Sequence, residues 1–483
     1  MVHTQEEFAS YLKKKGFIYK SSLIYGGLSG FYDYGHLGTS LKKNFENLWR
    51  EYFLNLNDNF HEIESCQIMH ENVFKASGHL ENFTDPVAIT KTGCFERADH
   101  LLERELGGRY EGLSIDEMKN LIDEKSIKGP DGSEIVEVKH VNMMFPVELG
   151  VGDKNKAYLR PETAQSPFVN FKLQHEILRK KMPLGLALIG RAFRNEISPR
   201  NLTLRQRAFT QAELQIFFNP DNLDSHPDFN RVMDVPLRVM LVKDREANIV
   251  VERSANDLVK LGLPKFYVYH MVRIQEFYLD VLKISKDKFR LYELNDKEKA
   301  FYNKFHFDLE VDLSSHGWTE MGGLHYRTDH DLRGHQEVSK ENMLVFDEAT
   351  QKKYVPHVLE LSFGVDRNVF SLLDLGYAKA DTRGHDVMDL PQGLAVYDFA
   401  VFPLMKNKAQ LFDLAREIYL GLKKKHGCYF DAGGAVGRRY ARADEIGVRA
   451  CVTIDFESLE DGCVTVRDLI TTEQKRVKIK DLV

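Results

Sequence analysis

The stretch Pro183–Phe218, PLGLALIGRAFRNEISPRNLTLRQRAFTQAELQIFF, decides the fold. Two apolar runs, Leu184–Phe193 and Arg207–Phe218, flank a polar loop holding Pro199, Arg200 and Asn201. That pattern predicts an antiparallel hairpin with a long loop. Arg194 and Glu196 lie two apart near the end of the first strand and share a sheet face. Phe209 and Glu213 lie four apart on the second strand and also share one. Guanidinium groups fork onto phosphate oxygens, an aromatic ring stacks on a base, and a carboxylate accepts from an exocyclic amine. The hairpin therefore reads either as a nucleotide platform or as a surface hairpin with ordinary ion pairs.

Three further segments carry chemistry. In HVLELSFGVDRNVFSLLDLG (357–376) a strand over Val355–Ser362 runs through Gly364 into a helix with Val365, Val369, Leu372 and Leu373 as its apolar face. Arg367 falls in the first helical turn, where the helix dipole disfavours a cation. It suits an anion better than it suits helix stability; a solvent-facing side chain is the alternative. In YLRPETAQSPFVNF (158–171) Glu162 follows Pro161, and Pro167 is expected to keep the chain extended. In GWTEMGGLHYRTDHDLRGH (317–335) Glu320 stands beside Gly322 and Gly323. His325, His330 and His335 are spaced by five, which matches neither a helix face nor a strand face, so no metal site is expected there.

Composition narrows the classes. A chain of 483 residues suggests two to four domains. Its 43% hydrophobic content supports a real core. Net charge is −6, so no overall basic field marks a nucleic-acid partner, although residues 392–483 carry 15 Lys/Arg against 13 Asp/Glu. No apolar run approaches the roughly 18–20 residues that span a bilayer, and the charged start MVHTQEEFASYLKKKGF has no signal core. Cys66, Cys94, Cys428, Cys451 and Cys463 form neither a disulfide framework nor a CxxC pair, which predicts a reducing, cytoplasmic setting.

A Gly-rich turn, IYGGLSGFYDYGHLG (24–38), leads to a helix. Its residues Leu41, Phe45, Leu48, Trp49, Tyr52, Phe53 and Leu56 recur at spacings of three and four. That stripe is buried either in the core or against a partner subunit. The charged stretches 85–139 and 221–306, the latter with a helix-like AFYNKF, read as insertions with solvated faces. A polar boundary at 376–391 precedes alternating strand and helix patterns, a compact α/β domain.

GRAFRNEISPRN with RQRAFTQAE resembles motif 2 of the class II aminoacyl-tRNA synthetases, LELSFGVDR resembles motif 3, and YGHLG with LKKNFENLW resembles the dimer helix, motif 1. RPETAQ, GWTE and the C-terminal GRRYARADEIG, DGCVTVRD and TEQKRVKI extend the resemblance to the single-chain, homodimeric glycyl-tRNA synthetases over essentially the whole chain. The resemblance implies an α+β fold. It places a class II antiparallel sheet flanked by helices over 1–390 and an α/β anticodon-binding domain over 391–483. It implies ATP-dependent attachment of glycine to tRNA(Gly) through a glycyl-adenylate, with Mg²⁺ bridging phosphate oxygens. Neither step needs a protein nucleophile; alignment and charge stabilisation suffice.

By the same resemblance, Arg194 holds the α-phosphate and the glycine carboxylate. Glu196 meets the adenine amine, Phe209 stacks on the ring, and Arg205 and Arg367 grip the γ-phosphate. Asn195, Leu204, Glu320, Met321 and Gly364 border the nucleotide. Glu162, Glu213 and Glu360, with Ser362, surround the glycine ammonium near Phe209. Arg97 is either a further glycine contact or a helix-surface ion pair. A homodimer with no membrane association is expected.

The chain departs from the family pattern at Leu361 (often Pro), Ser166-Pro167 (often Gly-Ile), Ala208 and Gln215 (often acids), and at Lys91, where a cysteine paired with Cys94 is common. The last departure leaves only Cys94 of the cysteine pair that a structural zinc would use. Two other readings compete: a synthetase for proline, threonine, serine or histidine, and a non-catalytic nucleic-acid-binding relative. The phosphate-type arginines and the three acids argue against both.

Overall fold

The first helix, α1 (Gln5–Lys15), opens on a capping box in which Thr4 and Glu7 bond each other's backbone N–H, and it stops at Gly16 in the left-handed region (φ 79°). Helix α2 (His36–Leu54) realises the three-and-four spacing: Leu41, Phe45, Trp49 and Phe53 are fully buried. Trp49 meets Phe363 edge-on at 6.0 Å and Phe53 lies 4.9 Å from Phe277, so the stripe packs on the chain's own core. These coordinates are a computed structural model describing residues 4–108, 110, 112–150, 156–300, 302–348, 350–380 and 383–482.

The centre is a nine-stranded sheet. Its strands in chain order are β1 (Phe60–Glu62), β2 (Leu184–Phe193), β3 (Ala208–Phe218), β4 (Pro236–Met240), β5 (Val251–Ser254), β6 (Phe289–Glu293), β7 (Phe305–Leu313), β8 (Gly317–Thr328) and β9 (His357–Gly364). Across the sheet they run β5-β4-β6-β7-β8-β9-β3-β2-β1. All neighbours are antiparallel except β4/β6 and β2/β1. The expected hairpin is β2/β3, paired from Leu184↔Phe217 to Phe193↔Ala208. Residues 357–376 form the expected strand and helix, β9 leading into a helix over Val365–Gly376.

Three expectations fail on local grounds. Residues 221–306 are not a surface insertion: they supply β4, β5 and β6, and the helix Lys265–Glu276 among them is buried along most of its length. Charge patterning misled because charged residues within these strands are paired, Arg253 with Asp244 at 2.8 Å and buried Arg290 with Glu310 at 2.5 Å. The AFYNKF segment is not helical at Tyr302–Lys304, and Phe305 opens β7; Phe301 lies outside the described residues. Pro167 sits inside the first turn of helix α3 (Gln165–Ile177) rather than in extended chain. The first turn has no intrahelical acceptor for its N–H groups, so a missing N–H costs nothing there. The described residues of 84–142 also build regular structure. Strands Thr84–Thr90, Phe95–Arg97 and Ile135–Asn142 form a small sheet with two helices on it, around Leu101, Leu102, Met118 and Ile122.

Beyond residue 390, strands 399–403, 428–430, 450–454, 463–468 and 474–478 form a five-stranded sheet flanked by helices Ala409–Leu422 and Val436–Asp444. This unit is tied back to the rest of the chain. Buried Asp444, gripped within the unit by Arg467 at 2.7 and 2.9 Å, is reached from outside it by His385 at 3.0 Å and Arg383 at 3.4 Å, and Lys15 of α1 pairs with Glu445 at 2.5 Å. Among the described residues no helix is long and apolar enough to cross a membrane.

Candidate active site

Side chains two apart on a strand share a face, and cross-strand register sets which of them meet. Glu213 of β3 faces Ser362 of β9, and Gln215 faces Glu360. On the other side of β9, Gly323 and His325 of β8 face Ser362 and Glu360. Strand β8 passes close enough that a Cβ on Gly322 would lie 2.1 Å from the Ser362 carbonyl oxygen. The start of the helix after β9 is pinned to the hairpin: Asp366 accepts from the Thr210 N–H at 2.5 Å and from the Tyr34 hydroxyl at 2.6 Å.

One end of the resulting cleft is acidic. Arg327, 2% exposed, donates to Glu360 at 3.1 Å, lies 3.5 Å from Glu162, and forks onto Asp331 at 2.8 and 3.0 Å. Glu360 also accepts from Gln215 at 2.7 Å and touches His325 Nδ1 at 2.6 Å; Glu162 accepts from Gln165 at 2.9 Å. Burial alone would raise both acids. Arg327, helped by His325 at Glu360 and His79 at Glu162, instead holds them below the ordinary carboxylate range.

Among the described residues no cation pairs directly with Glu213. It accepts only hydroxyl hydrogen bonds, from Thr163 at 2.6 Å and Ser362 at 2.8 Å. Burial, then the charges of Glu360 and Glu162, push its carboxyl up to about 8. The pocket thus presents an acid whose ionisation an incoming cation would favour.

The other end is built from arginines. The Arg194 guanidinium lies between the rings of Phe83 and Phe209, 5.4 and 5.2 Å from their centroids, and donates to the Pro161 carbonyl at 3.0 Å. Arg205 pairs with Glu196 at 2.8 Å, and Arg367 with Glu320 at 3.0 Å. Arg367 also donates to the Leu204 carbonyl at 3.1 Å, which ties the hairpin loop to the helix start.

Glu162, Arg194, Glu196, Leu204, Arg205, Phe209, Glu213, Glu320, Met321, Glu360, Ser362, Gly364 and Arg367 therefore line one cleft. Two expected residues do not. Asn195 is turned to the segment before β2, its N–H donating to the Met143 carbonyl at 2.7 Å. Arg97 sits in an adjoining cleft, held by Asp99 and, at 3.3 Å, by Asp85, so it takes the ion-pair role rather than a place in the acidic pocket. Sequence reasoning missed Thr163, Gln211, His306, His325 and Arg327, all of which border the cleft or bond its acids. The period-two run Gly323, His325, Arg327 is the available signal; of it, only His325 enters the metal argument, with His330 and His335.

Comparison with known proteins agrees with this geometry. Residues 145–375 match the family described as "tRNA synthetase class II core domain (G, H, P, S and T)", and residues 398–483 the "Anticodon binding domain". The chain is 38% identical to the glycine–tRNA ligase of Pyrococcus horikoshii over 98% of its own length and 96% of that protein's. It is 37% identical to the glycine–tRNA ligase of Lachnospira eligens over 100% and 98%. A Giardia lamblia prolyl-tRNA synthetase solved with prolyl-adenylate shares the fold at a TM-score of 0.60, with 12% identity over 100% of this chain and 77% of that one. On these matches over nearly its whole length, the chain belongs to the glycine–tRNA ligases, the class II aminoacyl-tRNA synthetases that join glycine to tRNA.

Proposed function

We propose that the cleft performs both steps of glycine–tRNA ligation with the residue roles expected above, Arg97 and Asn195 excepted. ATP lies along the arginine end, with Arg194 at the α-phosphate, Arg205 and Arg367 at the γ-phosphate, and Phe209 and Glu196 at adenine. The glycine ammonium enters the acidic end, where it offsets the charge of Glu213. The attacking carboxylate and the α-phosphate then meet at Arg194, and charge stabilisation by fixed donors does the rest. Mg²⁺ fits as a partner of the triphosphate. Burial and then the charge of Glu320 raise Asp308, and burial raises Glu310 against the lowering pull of Arg290, so the paired strands β7 and β8 carry buried carboxylate oxygens. The ion would neutralise phosphate charge there.

The observation that carries this reading is the convergence of Arg194, Arg205 and Arg367 with Glu162, Glu213 and Glu360 in a single cleft. The test is amino-acid-dependent ATP–pyrophosphate exchange across the twenty amino acids. Strong exchange with glycine alone is expected; exchange driven by another amino acid, or by none, would overturn it.

Further proposals rest on the same membership. Residues 1–390 form the catalytic unit and 391–483 the anticodon-binding unit, which reads tRNA(Gly). The enzyme is cytoplasmic and homodimeric. The dimer is supported by α3, whose inner face carries Phe168 and Phe171 while Val169, Leu173 and Ile177 stand outward at four-residue spacing, 36%, 56% and 61% exposed.

A further inference from the structure

His325 is absent from the residue roles given above, yet it occupies a distinctive place. Four adjacent strands bring His306, His325, Glu360 and Gln215 into one cross-strand row. Contacts run along the row. The His306 and His325 rings meet edge to face at 4.2 Å, His325 Nδ1 lies 2.6 Å from one Glu360 oxygen, and Gln215 donates to the other at 2.7 Å. His306 is itself held by Asp308 at 3.0 Å, and burial followed by the neighbouring His325 keeps its imidazole neutral.

The next row is Asp308, Gly323, Ser362 and Glu213. Gly323 leaves a gap in it beside the two residues of the ammonium pocket. His325 covers that gap: a Cβ built on Gly323 would lie 2.4 Å from His325 Nε2 and 3.3 Å from His306 Nε2. The ring therefore touches Glu360 at one edge and leaves no room for a methyl group between itself and the β8 backbone at the other.

We propose that His325 is a specificity-determining residue of the amino-acid pocket, orienting Glu360 and occupying the space over Gly323 so that an ammonium is admitted and a side chain is not. This rests on the assignment of the acidic end to glycine. Binding alone discriminates poorly against one added methyl group, so a wall that the methyl must displace is the physical requirement. His306 packs against the wall from behind and keeps it from swinging away.

The experiment is pyrophosphate exchange with glycine and with alanine, for the wild type, His325→Ala and His325→Asn, with a melting curve for each. Wild-type exchange that fails to depend on glycine would remove the pocket assignment itself. With that dependence in place, His325→Ala should raise the glycine KM about tenfold or more through the disordered Glu360. It should also raise alanine kcat/KM relative to glycine by about tenfold or more, at unchanged ATP KM. His325→Asn keeps a donor for Glu360 with a smaller side chain. It should restore most of the glycine KM while leaving the alanine discrimination weakened, a split that a purely structural role does not produce. If His325→Ala does not fold, the split in His325→Asn alone decides. Folded variants with wild-type glycine KM and wild-type discrimination would overturn the inference.

Discussion

Glu213 differs from its two neighbouring acids in one physical respect: Arg327 compensates Glu162 and Glu360 but leaves Glu213 with hydroxyl partners only. Its carboxyl at about 8 is raised first by burial and then by those two charges. A folded-state value above the unfolded one stabilises the fold at low pH, and that contribution is lost as pH rises from about 4.5 through about 8. Glycine binding has the opposite slope, because an ammonium favours ionised Glu213. The glycine KM should therefore fall as pH rises toward 8 and level off above it. Glu213→Gln should flatten that profile and raise the glycine KM by one to two orders of magnitude, the scale of about 1.5–3 kcal/mol for a charged hydrogen bond. ATP KM should change little. A glycine KM that is unchanged in the variant, or independent of pH in the wild type, would remove Glu213 from recognition.

Arg194 and Arg367 make the complementary case. Each is held by neighbours in a fixed pose, Arg194 between two rings and Arg367 between Glu320 and the Leu204 carbonyl. Losing either guanidinium removes a preorganised donor, about 3–4 kcal/mol or a factor of several hundred. Arg194→Ala and Arg367→Ala should nearly eliminate exchange with the melting temperature little altered. Exchange within a few-fold of wild type would place them outside the mechanism.

Helix α3 shows how one element can carry two apolar faces for different reasons. Phe168 and Phe171 pack on Phe217 of β3, at 6.1 and 4.4 Å between centroids, and so hold the hairpin that bears Glu213. The outward row of Val169, Leu173 and Ile177 contributes nothing to that packing. Leu173→Glu should leave the melting curve of dilute protein nearly unchanged but halve the mass seen by light scattering. Retention of the wild-type mass would separate this row from the dimer contact. The hairpin was readable because apolar runs around a polar loop admit few other structures. The helical course through Pro167 was not, because the rule that a proline follows extended chain ignores the first turn of a helix, whose N–H groups have no intrahelical acceptor to lose.

Across the molecule, the C-terminal sheet is joined to the catalytic part through polar anchors that include His385 and Arg383 on Asp444, and Tyr11 and Lys15 on Glu445. Its own core, including Val401, Leu411, Ile418 and Val452, does not draw on the central sheet. A chain ending at Pro391 should therefore retain glycine-dependent exchange while its charging of full-length tRNA drops sharply. Undiminished charging would refute the anticodon role. Exchange lost together with charging, in a protein that melts normally, would show that the anchors support the active site.

The amino-acid sequence alone determined what local chemistry and short-range order dictate: the β2/β3 hairpin, the buried stripe of α2, the strand-to-helix passage at Gly364, and the family-marking arginines and acids. Those features depend on spacing within one element, and spacing is visible in a string of letters. Only the tertiary structure decided which distant residues share a cleft. It moved Arg97 and Asn195 out, turned residues 221–306 from an apparent insertion into three strands of the central sheet, and brought Arg327 and His325 of β8 against Glu162 and Glu360. Cross-strand register made those choices. A register is set by the pairing of whole strands far apart in the chain, and no single segment contains it.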